Sequence, residues 1–244
     1  MKNLPKHIAM LMDGNGRWAT RQGLPRVEGH QAGAETVDRI VEEARRIGIP
    51  YVTLYCLSSE NWKRPKPEID ALMELLKGYL RSQRQKMIDS GIRLKFIGRR
   101  HPLPPDVLEA LDEAEKATAH LTGLTLVLAI NYGSRAEILE AVEKIAGEAL
   151  RTGKLPELTE ETFSEALYTA GIPDPDLLIR TAGESRLSNF LLWQLSYAEI
   201  YITQVCWPDF SIDEFHRALD SYSGRIRRFG AVVENASDKN PSGQ

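Results

Sequence analysis

Asp13-Gly14-Asn15-Gly16-Arg17-Trp18 sets a carboxylate, two glycines and an arginine side by side. Glycines let backbone N–H groups come close to an anion, and an arginine can grip one through two parallel hydrogen bonds. The segment reads as half of a phosphate site in one tight loop. Arg26 follows, then Gly29-His30-Gln31-Ala32-Gly33, where a long helix is expected to begin and to add the positive potential of its N-terminus. An oxyanion there would meet Arg17, Arg26 and His30 together. The plain alternative is a strand-to-helix turn with Trp18 in the core and the arginines in solvent. A sharper rival is the dinucleotide fingerprint: Gly14 to Ala19 match G-x-G-x-x-[GA], and Glu35 falls near the offset of a ribose ligand. That motif needs a helix opening directly on the glycines, whereas Gln22-Gly23-Leu24-Pro25 intervenes here, and Glu35 falls inside a helix rather than at a strand end. The rival is set aside on those two grounds.

Two further segments carry related chemistry. In Ser58-Ser59-Glu60-Asn61-Trp62-Lys63-Arg64-Pro65, the hydroxyls and Asn61 can hydrogen-bond a diphosphate or a water, Arg64 can pair with charge, and Trp62 offers an apolar face. Read alone, it is also a capped helix entrance. Arg180-Thr181-Ala182-Gly183-Glu184-Ser185-Arg186-Leu187-Ser188-Asn189 places two arginines and several hydroxyls around a glycine turn. Glu199 opens an apolar strand. If the fold brings Asp13 and Glu199 together, they form an oxygen-rich Mg²⁺ site, since Mg²⁺ takes one or two carboxylates plus water and phosphate oxygens. Asn131-Tyr132-Gly133-Ser134-Arg135 reads as a turn and helix cap. His7, His101, His120 and His216 lack metal-ligand spacing and are read as surface residues. There is no P-loop, no nucleophile elbow and no CxxC pair.

The elements that must position these residues alternate. Apolar runs are expected as strands at Ile8–Met12, Tyr51–Leu57, Ile92–Ile97, Leu124–Ile130, Leu177–Arg180 and Ile200–Val205. Helical period links Ala34, Val37, Ile40, Val41, Ala44 and Ile47, then Leu72 to Leu80, Val107 to Leu111, and Ile138, Leu139, Val142 and Ile145. A last helix runs from an N-cap at Ser211 to about Phe229. The pattern is an α/β fold in a single domain, a mostly parallel central sheet of about six strands flanked by helices, with ligands expected beyond the strands' carboxyl ends. The domain spans 1–230, and 231–244 reads as a flexible tail. At 244 residues, 42% hydrophobic and 27% charged, the chain can bury a sizeable core. A net charge of −3 argues against broad nucleic-acid binding. Cys56 and Cys206 read as buried small hydrophobes, which fits a reducing cytoplasm. No signal-peptide core or spanning run is found.

Together these segments resemble the cis-prenyltransferase family, in particular its undecaprenyl diphosphate synthase branch. The matching stretches are HIAMLMDGNGRWA, R-x-x-GH-x-AG at Arg26–Gly33, SSENWKRP, NYGSR, RTAGESRLSNFLLWQLSYAEIY, WPDF and RRFG, from His7 to Gly230. The resemblance implies Mg²⁺-dependent, sequential cis-condensation of isopentenyl diphosphate onto an allylic diphosphate such as farnesyl diphosphate. The expected product is undecaprenyl diphosphate, the cell-wall carrier lipid. It implies that Asp13 binds Mg²⁺ and assists departure of the allylic diphosphate, with Glu199 as second metal carboxylate. Gly14, Asn15, Gly16, Arg17, Trp18, Arg26 and His30 would hold the allylic substrate. Arg180, Arg186 and Ser188, with Leu187 beside them, would hold isopentenyl diphosphate. Ser58, Ser59, Glu60, Asn61, Trp62 and Arg64 would line the space between. The family's proton acceptor falls on Asn61, but a neutral amide is a poor base, so Asn61 is read as orienting water or a phosphate oxygen.

Ala182 and Ser196 depart from the family's usual residues and bear on substrate preference more than on activity. A tunnel for the growing chain is expected along Leu54, Leu72, Leu76, Leu126 and Leu128, narrowed by Cys56 and Ile130. The family implies a homodimer, with at most peripheral membrane contact through the lipid product. The alternative is a non-catalytic diphosphate- or lipid-binding subunit of the same fold, which would lack catalytic motif residues that this sequence retains. The trans-type enzymes, all-helical with D-D-x-x-D boxes, do not fit.

Overall fold

The six expected apolar runs form six strands: β1 (His7–Leu11), β2 (Tyr51–Ser58), β3 (Arg93–Ile97), β4 (Thr125–Tyr132), β5 (Leu177–Arg180) and β6 (Glu199–Ile202). They belong to a computed structural model that describes residues 3–224; the tail expected at 231–244 and the helix end expected near Phe229 lie outside the described residues. The strands pair in the order β3-β4-β2-β1-β5-β6, every pair parallel. Because side chains alternate across a strand, Ile8 and Met10 enter one core while Ala9 and Leu11 enter the other. All of β4 is buried, as a strand covered on both faces should be.

The helices are α1 (Asn15–Arg21), α2 (Arg26–Arg46), α3 (Lys66–Asp89), α4 (Pro105–Thr118), α5 (Ser134–Thr152), α6 (Glu160–Ser164) and α7 (Ile212–Ser223). Ile40 of α2, Leu80 of α3, Leu111 of α4 and Phe215 of α7 fill the larger core. Phe190, Leu191 and Leu195 close the smaller one. Ser211 caps α7 as expected, accepting the N–H of Glu214.

Several expectations need correction. The loop at Asp13–Trp18 becomes a helix at Asn15, so one ground for dismissing the dinucleotide fingerprint fails; the other holds, because Glu35 lies within α2. The long helix starts at Arg26 rather than Gly29, and α6 was not expected. The apolar stripe of α5 is not fully laid on the sheet, since Leu139 and Val142 are exposed. His7 is not a surface residue. It is buried, its Nδ1 2.6 Å from the Pro173 carbonyl and its Nε2 2.7 Å from Thr53 Oγ1.

Burial lowers the His7 pKa from 6.5 to about 4, against the opposing effects of the Pro173 hydrogen bond and Asp176. Its neutral form therefore stabilises the fold fully above pH 6.5, and that contribution drains away as pH falls toward 4 because the unfolded chain takes up the proton first. The loss amounts to roughly 3 kcal/mol. A His7→Gln variant should lose this segment of the Tm-versus-pH curve. An unchanged slope between pH 6.5 and 4 would assign it to other groups.

Candidate active site

In an open parallel sheet the crevice lies where the strand order turns, outside the carboxyl ends. Here β1 leads to β2 on one side and has β5 on the other, so the ends of β1 and β5 flank it. Asp13 follows β1 and Arg180 ends β5. The Arg180 guanidinium donates from Nη2 to Asp13 Oδ2 at 2.6 Å and from Nη1 to Ser188 Oγ at 3.1 Å. The Arg180 side chain is 4% exposed and that of Asp13 40%, so a buried cation holds a carboxylate that faces the crevice. The buried Nε of Arg180 has no hydrogen-bond partner among the described residues.

The α1–α2 corner is built on absent side chains. Gly14 has φ +100°, and a Cβ there would stand 2.9 Å from Ala182 Cβ and Cys206 Sγ. The Arg26 guanidinium lies over Gly16, its Cζ 2.6 Å from where a Cβ would be. A Cβ on Gly29 would stand 2.0 Å from the Asn15 carbonyl oxygen, which is backbone and cannot swing aside. Gly29→Ala should therefore push α1 away from α2 and cost about 1–3 kcal/mol. A lowered Tm together with weaker pyrophosphate binding is the expected result; a wild-type Tm would show that the corner relaxes freely.

Two groups of basic side chains face the crevice. In the first, Glu68 gathers Arg26 (Nε to Oε2, 3.3 Å), Arg64 (Nη1 to Oε1, 3.1 Å) and His30 (Nε2 to Oε1, 3.8 Å). Burial, reinforced by the nearby Arg64 charge, lowers the His30 pKa, so at neutral pH its imidazole serves as a hydrogen-bonding group rather than a cation. In the second group, Arg17 and Arg186 bracket Glu184, Arg17 at 3.1 Å. The hydrogen bond and charge of Arg186, then Arg17 and Arg180, hold the Glu184 carboxyl below the usual range.

A cavity of about 470 Å³ joins these groups. Its polar mouth is lined by Asp13, Gly14, Asn15, Gly16, Arg17, Arg26, His30, Ser58, Asn61, Arg64, Arg180, Arg186 and Ser188, all of them expected from the sequence. Its depth is apolar, with Val37, Leu54, Cys56, Leu72, Leu76, Tyr79 and Leu128. Leu126 and Ile130, expected on the tunnel, are instead buried in the core.

Six expected site residues do not line this cavity. Trp18 donates its indole N–H to Asp209 Oδ1 (2.7 Å), and Trp62 donates to Asn131 Oδ1 (2.7 Å) while packing on the core. Ser59 donates to Glu60, Glu60 accepts from Asn189, and Leu187 packs against the smaller core. Glu199 is the clearest correction. It opens β6 in register with Leu177, the first residue of β5, whereas Asp13 lies past Leu11, which aligns with Arg180. Three strand rises of about 3.3 Å and two strand spacings of about 4.8 Å already separate them, so within one chain they cannot share an ion.

Glu68 and Glu184 pair with the cavity's arginines and Asn189 with Glu60, and none of the three was among the expected site residues. Only Glu68 carried a usable signal, standing four residues after Arg64 at the start of an expected helix.

A sequence-family model described as putative undecaprenyl diphosphate synthase matches residues 11–230. The chain belongs to this family of cis-prenyltransferases. An isoprenyl transferase from Geobacter sulfurreducens is 52% identical over 93% of this chain and 93% of its own length. The crystal structure of lavandulyl diphosphate synthase from Lavandula x intermedia, in complex with dimethylallyl diphosphate, superposes with a TM-score of 0.90. It is 39% identical and is covered over 98% of its length, against 93% of this chain. A probable undecaprenyl diphosphate synthase from Campylobacter jejuni gives a TM-score of 0.77 at 36% identity, over 94% of this chain and 100% of that one.

This cis-prenyltransferase is thus an enzyme whose motif loops meet at one polar mouth above an apolar interior. A divalent ion would fit at Asp13, whose Oδ2 accepts from Arg180 and whose side chain is 40% exposed and lines the cavity. No three His, Cys, Asp or Glu side chains converge among the described residues, so such an ion would need water and phosphate oxygens as its other ligands. Among the described residues no helix is long and apolar enough to cross a membrane.

Proposed function

We propose that this cis-prenyltransferase condenses isopentenyl diphosphate sequentially onto an allylic primer, farnesyl diphosphate, with Mg²⁺, and that the product is undecaprenyl diphosphate for the cell-wall lipid carrier. The observation that carries this reading is one shared cavity: two basic groups at its mouth match two diphosphates, and its apolar lining matches a hydrocarbon chain. The complex of the Lavandula relative with dimethylallyl diphosphate supports an allylic diphosphate as one substrate.

In this reading Arg26, Arg64, neutral His30 and the backbone N–H groups at the start of α1 hold the primer's diphosphate. Arg180, Arg186 and Ser188 hold isopentenyl diphosphate. Mg²⁺, when bound beside Asp13, neutralises charge on the departing diphosphate. Charge growing on that leaving group is the main barrier, and fixed cations aimed at it are the largest catalytic contribution expected of the protein. Asn61 Oδ1 accepts the Ser58 N–H at 3.2 Å, so what it offers the crevice is its amide N–H₂. It orients substrate and does not take the proton. The apolar wall keeps the growing chain from water.

Assembly as a homodimer is supported by apolar surface the chain leaves exposed, Leu139 and Val142 on α5 and Ile200 and Ile202 on the edge strand β6. The two free cysteines agree with a reducing, cytoplasmic setting. Purified protein given farnesyl diphosphate, labelled isopentenyl diphosphate and Mg²⁺ should form polyprenyl diphosphate, stop when EDTA is added, and give a product that sizes as undecaprenyl. No product would overturn the reading; a shorter or longer product would overturn only the undecaprenyl assignment.

A further inference from the structure

Ser188 and Asn189 both adopt positive φ, +50° and +60°. Such residues carry strain unless their surroundings hold them, though asparagine and aspartate enter this region more readily than most. Asn189 is held on three sides. Its carbonyl oxygen accepts the N–H of Ser134 at 2.8 Å, and its Oδ1 accepts the N–H of Arg135 at 2.9 Å, which fixes the turn to the start of α5. Its Nδ2 donates at 2.9 Å to Oε1 of Glu60, in the single-turn helix Ser59–Lys63. Gly133 permits this approach, because a Cβ there would stand 2.6 Å from Ser59 Oγ and 2.8 Å from Asn189 Nδ2. Burial works against the Glu60 charge, yet hydrogen bonds from Asn189, from its own backbone and from Ser58 and Ser59 hold its carboxyl below the ordinary range.

We propose that the Asn189–Glu60 hydrogen bond is a positioning tie between the segment bearing Ser188 and the segment bearing Ser58, Asn61 and Arg64, setting the separation of the two bound substrates. The inference rests on the condensation reading above. Neither Asn189 nor Glu60 lines the cavity, so both act through their neighbours. Reacting atoms must be held within a few tenths of an ångström, and a displacement of about 1 Å can cost about a hundredfold in rate.

A polarity swap tests this. Asn189→Asp keeps the acceptor for Arg135, places a carboxylate favourably at the N-terminus of α5 and tolerates the positive φ, but sets an oxygen against Glu60. Glu60→Gln then returns a donor from the opposite side. The expected result is an unchanged Tm for Asn189→Asp with kcat about tenfold lower, and recovery of most of that loss in the double variant. Full activity in Asn189→Asp, or a double variant no better than it, would overturn the tie. Should Asn189→Asp fold poorly, Glu60→Ala at an exposed site gives the same reading: lowered kcat supports the tie and wild-type kcat rejects it. Wild-type activity is measured first. Its absence would sink the condensation reading, whereas an active wild type without rescue would sink only the tie.

Discussion

Asp13→Asn is expected to lower kcat by about 10²–10³ while leaving the fold and the affinity for isopentenyl diphosphate nearly unchanged. The substitution keeps an oxygen where Arg180 Nη2 donates at 2.6 Å, so the junction of β1 and β5 stays tied. What disappears is the negative charge facing the crevice, and with it the carboxylate proposed above to share a divalent ion with the departing diphosphate. Asp13→Ala is less informative. It removes the partner of a cation whose side chain is only 4% exposed, and stranding a buried charge costs about 3–5 kcal/mol in a dry interior. Because Asp13 itself is 40% exposed the cost here is smaller, but it would still blur chemistry with stability. Single-turnover rates on farnesyl diphosphate, with Tm beside them, separate the two. A rate within tenfold of wild type would take Asp13 out of the reacting centre.

Much of this arrangement was legible in the residues. The six strands were readable because each is a short apolar run bounded by glycine, proline or polar clusters, and the cation groups because they follow strands whose carboxyl ends must lie together. What failed was information about direction and distant partners. Glu199 opens a strand, and in an all-parallel sheet a residue that opens a strand lies at the end opposite the crevice; chain spacing alone hides this until the register is known. Helix α1 escaped because seven residues containing a glycine and a tryptophan show no apolar stripe for periodicity to detect. His7 looked like a surface residue because its two partners, Thr53 and Pro173, are far away in sequence. Trp18 and Trp62 looked like substrate platforms, yet each indole N–H is committed to a side chain from another motif, Asp209 and Asn131. Aromatic residues in a motif loop can hold the loop rather than the ligand.

Arg180 should show the sharpest split between activity and stability. Its guanidinium spans Asp13 and Ser188 at once from two nitrogens, a geometry that the single point charge of a lysine cannot reproduce. Arg180→Lys should therefore raise the KM for isopentenyl diphosphate and reduce kcat/KM by about 10². Arg180→Met should abolish measurable condensation and yet leave Tm at or above the wild-type value. The reasoning is one of desolvation: the arginine is buried and its Nε has no hydrogen-bond partner among the described residues, while Asp13, once released, is exposed enough to be hydrated. Replacing a buried charge by an apolar side chain of similar length then removes an unfavourable burial, as it does when buried ion pairs are exchanged for hydrophobic residues. Calorimetric melting together with kcat/KM for both substrates reads the two effects separately. If Arg180→Met melted well below wild type, Arg180 would be a structural brace; if it kept kcat/KM within tenfold, Arg180 would not be a diphosphate ligand. The pairing of lost activity with retained stability is what distinguishes a cation placed for substrate from one placed for the fold.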